Sequence, residues 1–149
     1  MTITHASAWL MVSFAGLFSG GELIVAVERL NLWRRMPVDQ YVVDFRRSLY
    51  RLDPLMPILC TLAALGAVVF ALNTGGRASA LAWIGAGLIG VIMVASIVVD
   101  APINSKFRRL SEGQAPDGVD QLRATWRRFH WARTALALAA LACLAAAIA

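Results

Sequence analysis

Charge is scarce in this sequence. Only 15% of the 149 residues are Asp, Glu, Lys or Arg, whereas 59% are hydrophobic and the mean hydropathy is +0.66. Soluble domains hold about 45–50% apolar residues, so a water-soluble globular protein is excluded. Disorder is excluded as well, since a disordered segment needs low hydrophobicity and high net charge. Cysteine is limited to Cys60 and Cys143, and neither belongs to a metal-like pair. Both fall in apolar stretches, at depths that do not favour a disulfide between them, and read as small packing residues. No Lys or Arg precedes Arg29, so the first apolar stretch lacks the basic start of a secretory signal and reads as a retained span. There is no internal repeat, collagen-like tract or heptad zipper.

What is there is apolar length. A window of ~19 residues picks out Ser7–Val27, Leu55–Leu72, Ala78–Val99 and Trp131–Ala149. At ~20 residues per bilayer crossing, four spans use up the chain and leave no room for a large extramembrane domain. The expected fold is therefore all-α, an integral-membrane four-helix bundle forming a single domain over residues 1–149. The net charge of +5 belongs with the habit of membrane proteins to gather Lys and Arg at one face, and no nucleic-acid partner is implied. Six arginines lie between Arg29 and Arg51, seven basic residues between Lys106 and Arg133, and Arg77 stands alone in the turn between spans two and three. Positive loops stay cytoplasmic. The expected location is the inner (cytoplasmic) membrane with both termini outside.

Between spans one and two, Val38, Tyr41, Val42, Phe45, Leu49 and Leu52 recur at three- and four-residue intervals among charged residues. This pattern predicts an amphipathic interfacial helix, with Pro37 suited to its first turn and Asp53-Pro54 to a fresh start for the second span. The fourth span is expected to continue an interfacial helix that begins near Gly118, with Asp117 capping it and Asp120 favouring its dipole. Gly85, Gly87 and Gly90 with nearby alanines read as a close-packing face in the third span. A face of that kind has to pack against something, and subunits of this size could form a homo-oligomer.

Ionisable side chains inside a span are costly and mark a functional site by default. Glu22 is the clearest case, ~9 Å deeper than Glu28 at ~1.5 Å rise per residue. Trp126, His130 and Arg133 are spaced i, i+4, i+7 and share one helix face. His130 could be a metal or haem ligand, a general base or a hydrogen-bond donor, and Arg133 could pair with Glu22 or hold an oxyanion. Asp100 and Asn104 share a face if Pro102 only kinks the third helix. Glu22, Glu28, Asp100, Asn104, His130 and Arg133 fall at similar depth, which predicts a convergent polar pocket near the cytoplasmic leaflet. Only one histidine is usable there, because His5 belongs to the opposite end. His130 is thus the best candidate metal ligand, and cofactor-independent chemistry, a haem or a mononuclear metal all remain open.

The run Ala15-Gly16-Leu17-Phe18-Ser19-Gly20-Gly21-Glu22, the Pro102-Ile103-Asn104 closing the third span, and Trp126, His130 and Arg133 opening the fourth resemble the anthrone oxygenase-like family of small four-helix membrane proteins. The resemblance covers nearly the whole chain. Fungal members of that family are implicated in oxidising a polyketide anthrone to an anthraquinone with molecular oxygen. It implies that Asn104, Trp126, His130 and Arg133 are signature positions here. For an oxygenase, His130 or Glu22 would take a proton from an acidic C–H, leaving a carbanion for oxygen, and Arg133 and Asn104 would stabilise the developing oxyanion. Trp126, Asp100 and Glu28 would contact the substrate. The implied partners are membrane lipid and a lipophilic, aromatic or quinone-like small molecule. A non-catalytic membrane binding or scaffold protein, with or without haem, is the second reading. A transporter is weaker, since four spans supply no inverted repeat of broken helices.

Overall fold

The computed structural model describes residues 2–111 and 113–149. Within them all regular structure is helical: α1 (Ile3–Ile24), α2 (Leu30–Arg35), α3 (Val38–Leu52), α4 (Leu55–Leu72), α5 (Gly76–Ala95), α6 (Ala101–Arg108) and α7 (Val119–Ile148). Two π-helical turns, Val25–Arg29 and Ser96–Asp100, weld α1 to α2 and α5 to α6. There Leu30 N–H reaches Val25 O and Ala101 N–H reaches Ser96 O, five residues back in each case. Pro102, which lacks an N–H, follows directly on the second wide turn, so the third helix runs on to Arg108 rather than ending.

The result is four helices long and apolar enough to cross a membrane, Ile3–Arg35, Val38–Leu72, Gly76–Arg108 and Val119–Ile148. A helix of 33 residues is ~50 Å long at ~1.5 Å per residue, well beyond the ~30 Å of a hydrocarbon layer. Each of the first three rods therefore overshoots, and the overshoot is where the charged residues sit. In cross-section α1 packs on α4 and α7, and α5 packs on the same two, an up-down-up-down square.

Two cores result. The larger holds Met11, Ala15, Phe18, Ala63, Ala67, Ile89 and Leu144 within the apolar span lengths. Small residues set its helix separation: a Cβ on Gly66 would lie 2.7 Å from the Met11 backbone nitrogen, and one on Gly85 2.5 Å from Leu144 Cδ2. Gly87 and Gly90 do not share that role, because a Cβ on either meets nothing within 4 Å. At ~100° per residue they stand roughly 200° and 140° round the helix from Gly85.

The second core is aromatic and caps the Arg-rich end. The buried face of α3 (Tyr41, Val42, Phe45, Leu49) meets Trp33, Phe107 and Trp126. Phe45 stands edge-on to Trp33, Phe107 and Trp126 at centroid distances of 5.2, 4.7 and 5.2 Å, the arrangement that ring quadrupoles favour. Arg123 ties α7 to this cap by donating to Trp33 O and Met36 O, both at 3.0 Å, and to Asp120. The cap of α7 differs from the expectation. Gly118 itself occupies the capping position at φ +66°, a left-handed conformation that glycine tolerates, and no side chain caps the helix. Asp117 therefore lies one residue too early to cap.

Candidate functional site

Arg133 is the hub. The helical repeat of α7 puts it on one face with Trp126 and His130, and that face points into the bundle. Its Nε donates to Glu22 Oε2 at 2.8 Å, Nη1 donates to Asp100 Oδ2 and to Ser96 Oγ (3.3 Å), and Nη2 faces His130 Nδ1 at 3.2 Å. One guanidinium thus gathers groups from three rods. Glu22 is only 1% exposed and His130 2%, so these are desolvated interactions, far stronger than surface ion pairs. Ser19 Oγ donates to Ala137 O at 2.9 Å and fixes α1 against α7 about one turn deeper.

The neighbours of His130 assign its tautomer. Its Nε2 lies 3.0 Å from Glu22 O, and a carbonyl only accepts, so Nε2 carries the proton. Nδ1 faces Arg133 Nη2, which only donates, so Nδ1 presents its lone pair. Both ring nitrogens are therefore committed within the protein. The Trp126 indole stacks on the imidazole at 4.9 Å with planes 16° apart, pinning it further. Among the described residues no group of three or more His, Cys, Asp or Glu could hold a metal ion, and His5 is hydrogen-bonded to Thr2 Oγ1 (2.7 Å) at the far end of α1. The donor set around His130 does not fit a metal ion or haem iron.

A second cluster lies one turn nearer the Arg-rich end. Asn104 Nδ2 donates to Asp53 Oδ2 at 3.3 Å, and Arg108 forms an ion pair with the same carboxylate. Asp53 is thus a tether to the third rod, not the cap of a new helix; α4 starts with no side-chain cap. From sequence it reads only as a helix start. The signal was present in the i, i+4 spacing of Asn104 and Arg108, which sets an amide and a cation on one face.

These groups line a cavity of about 550 Å³. Its polar pole is built from Glu22, Asp100, Asn104, Trp126, His130 and Arg133, and its apolar walls include Phe18, Val25, Leu49, Met56, Ile92 and Met93. Of the residues singled out by sequence, only Glu28 lies elsewhere. It pairs with Arg29 at 2.9 Å with its side chain 58% exposed. Six residues from Glu22 leave it ~9 Å along the helix and roughly two-thirds of a turn out of phase, so it shares neither level nor face with Glu22. Cys60 also lines the cavity, and both cysteines are free.

Among the described residues, three buried polar atoms of this pole have no partner: Asp100 Oδ1, Asn104 Oδ1 and Trp126 Nε1. Two acceptors and one donor left open in a desolvated wall cost about 1–3 kcal/mol each, and such exceptions call for a functional explanation. A family model described as anthrone oxygenase matches residues 45–143. The chain belongs to the anthrone oxygenase family. No curated protein and no solved structure matches it. The anthrone oxygenase match takes in Asp53, Asp100, Asn104, Trp126, His130 and Arg133, while Glu22 lies before it. Within this anthrone oxygenase family member, the first rod thus adds a buried carboxylate from outside the matched stretch.

Proposed function

We propose that this chain is a membrane-embedded oxygenase that binds a flat, uncharged aromatic molecule in the cavity and oxidises its acidic C–H carbon with molecular oxygen. The observation that carries the reading is a cavity whose apolar walls end in one pole where a carboxylate oxygen and an indole N–H are buried and unpartnered. Its volume lies within the ~300–1,000 Å³ typical of small-molecule sites.

Carbanion oxidation needs a base and a place for the charge that develops. The bonding pattern favours a different division of labour from the one implied by resemblance. Arg133 has all three nitrogens engaged, His130 both of its own, and Asn104 Nδ2 belongs to Asp53. What is uncommitted is Asp100 Oδ1 and Asn104 Oδ1 as acceptors, of which only the carboxylate is a base, and Trp126 Nε1 as donor. In this reading Asp100 takes the proton from a methylene vinylogous to a carbonyl. The C–H electron pair delocalises onto the carbonyl oxygen, where the Trp126 N–H meets it. Oxygen then adds to the carbon and the resulting peroxide takes the proton. Loss of the second C–H proton with cleavage of the O–O bond leaves a ketone and releases water, one O₂ consumed per substrate. Glu22, Arg133 and His130 are positioning residues that hold Asp100 and Trp126 in place.

The test is oxygen uptake by the purified protein with anthrone as probe. Uptake above the spontaneous rate, with one O₂ per quinone formed, is the expected result. Saturable anthrone binding with uptake no faster than in buffer would replace the oxygenase by the non-catalytic binding protein.

The same reading places the chain in the inner membrane with its Arg-rich end in the cytoplasm and α3 along the interface, supported by the thirteen-to-one distribution of basic residues. Arg77→Cys, in a background without the two native cysteines, is expected to react with an impermeant thiol reagent in intact cells. Reaction only after lysis would invert the topology.

A further inference from the structure

We infer that the cavity fills sideways from the bilayer, through a slot between the start of α4 and the α5–α6 rod, while the Asp53–Arg108 ion pair bolts its aqueous end. The inference rests on the reading of the cavity as a site for a lipophile, and it concerns the route of that lipophile rather than its oxidation.

Burial locates the opening. On the first and fourth rods, lining residues Phe18, Glu22, Val25, Trp126 and His130 are all buried. The lining residues that are exposed all belong to two facing strips: Pro54 and Pro57 on one side, Ile97, Ala101 and Arg108 on the other. Among the described residues the exposed part of the lining therefore falls between the second and third rods. Four of these five rim residues are apolar, and Ile97, at 69% exposure, lies inside a stretch apolar enough to sit in hydrocarbon. Only the end of the slot carries charge.

Local chemistry accounts for the gap. Pro54 and Pro57 fall at the start of α4, where their missing N–H groups cost nothing, and they have no N–H to donate across to a neighbour. Opposite them the π-helical turn Ser96–Asp100 widens the third rod and carries Ile97 and Asp100 on a displaced register. Behind the slot stand Met56 and Met93, both half-buried, unbranched and able to change rotamer cheaply. Met56 lies over Gly21, where a Cβ would come within 2.8 Å of its Cε. At the aqueous end the Arg108 guanidinium holds Asp53, which also accepts from Asn104, and lies 5.9 Å from the centre of the Tyr50 ring. A molecule coming from water would have to part that ion pair. One dissolved in the bilayer meets proline, isoleucine, alanine and flexible methionines.

Cys60 is a built-in reporter, because it lines the cavity and is 3% exposed. With Cys143→Ala it becomes the sole thiol. In proteoliposomes, neutral N-cyclohexylmaleimide is expected to alkylate Cys60 while a trimethylammonium methanethiosulfonate does not. Ile97→Trp and Ala101→Trp should each slow the maleimide about tenfold or more, and Ile97→Ala should speed it. Arg108→Ala should admit the charged reagent. Thermal melting of each variant checks that the bundle survives, and the accelerating Ile97→Ala variant cannot be mimicked by misfolding confined to the tryptophan variants. The inference is overturned if the charged reagent reaches Cys60 as readily as the neutral one with the ion pair intact, or if neither tryptophan slows the maleimide. It is also overturned if the maleimide fails to reach Cys60 at all. Oxygen uptake with anthrone is read on the same samples, so the labelling pattern without uptake sinks the oxygenase and leaves the lateral route standing.

Discussion

Arg133→Met is expected to destabilise the bundle by about 3–5 kcal/mol, the cost of stranding charge that has no other partner. Among the described residues Arg133 is the one cation bonded to both Glu22 and Asp100, and it also holds Ser96 and faces His130. Methionine fills much of the volume but leaves two carboxyl groups in a desolvated wall, one from the first rod and one from the third. Because both side chains are buried, rearrangement cannot rescue them cheaply. Thermal or denaturant unfolding in detergent reads the effect. Adding Glu22→Gln and Asp100→Asn to Arg133→Met should recover a large part of the loss, since the groups form one coupled network. A loss below about 1 kcal/mol, the range of exposed ion pairs, would mean that the hub does not hold the rods together.

The second large effect concerns turnover. Asp100→Asn keeps the shape and the Oδ1 acceptor but removes the base, and kcat with anthrone should fall by about 10²–10⁴-fold with KM little changed. Trp126→Phe keeps the stacking on His130 but removes the N–H, and should lower kcat by about 10²-fold or more. His130→Ala acts only through positioning, so its loss should be smaller than either. The opposite ranking, full turnover in Asp100→Asn and none in His130→Ala, would make His130 the base and require Arg133 to release Nδ1 during the reaction.

Much of the architecture was legible without coordinates. Apolar length announced four spans, and the three-to-four-residue rhythm from Val38 to Leu52 announced a helix with one buried face. The i, i+4, i+7 spacing of Trp126, His130 and Arg133 placed them together, since that regularity is a property of the helix itself. Depth, obtained by counting residues, brought Glu22 and Asp100 to the same level. Counting failed where angle mattered more than height. Glu28, ~9 Å along the helix from Glu22, also has the wrong azimuth, Gly87 and Gly90 look outward, and Asp117 misses the cap by a residue because Gly118 takes it with a left-handed turn.

By itself the sequence determined which side chains are too polar for lipid, and hence which had to find partners inside the bundle, because solvation energy depends on residue type and burial alone. Who partners whom was decided only by packing. Asp53 becoming a tether, Arg133 spending every nitrogen on the protein, and Asp100 Oδ1 and Trp126 Nε1 left over depend on distances of a few tenths of an ångström between rods far apart in the chain. Hydrogen bonds are directional and saturable, so their allocation follows from the rotation of the rods and from the two π-helical turns, which no count of residues along the chain contains.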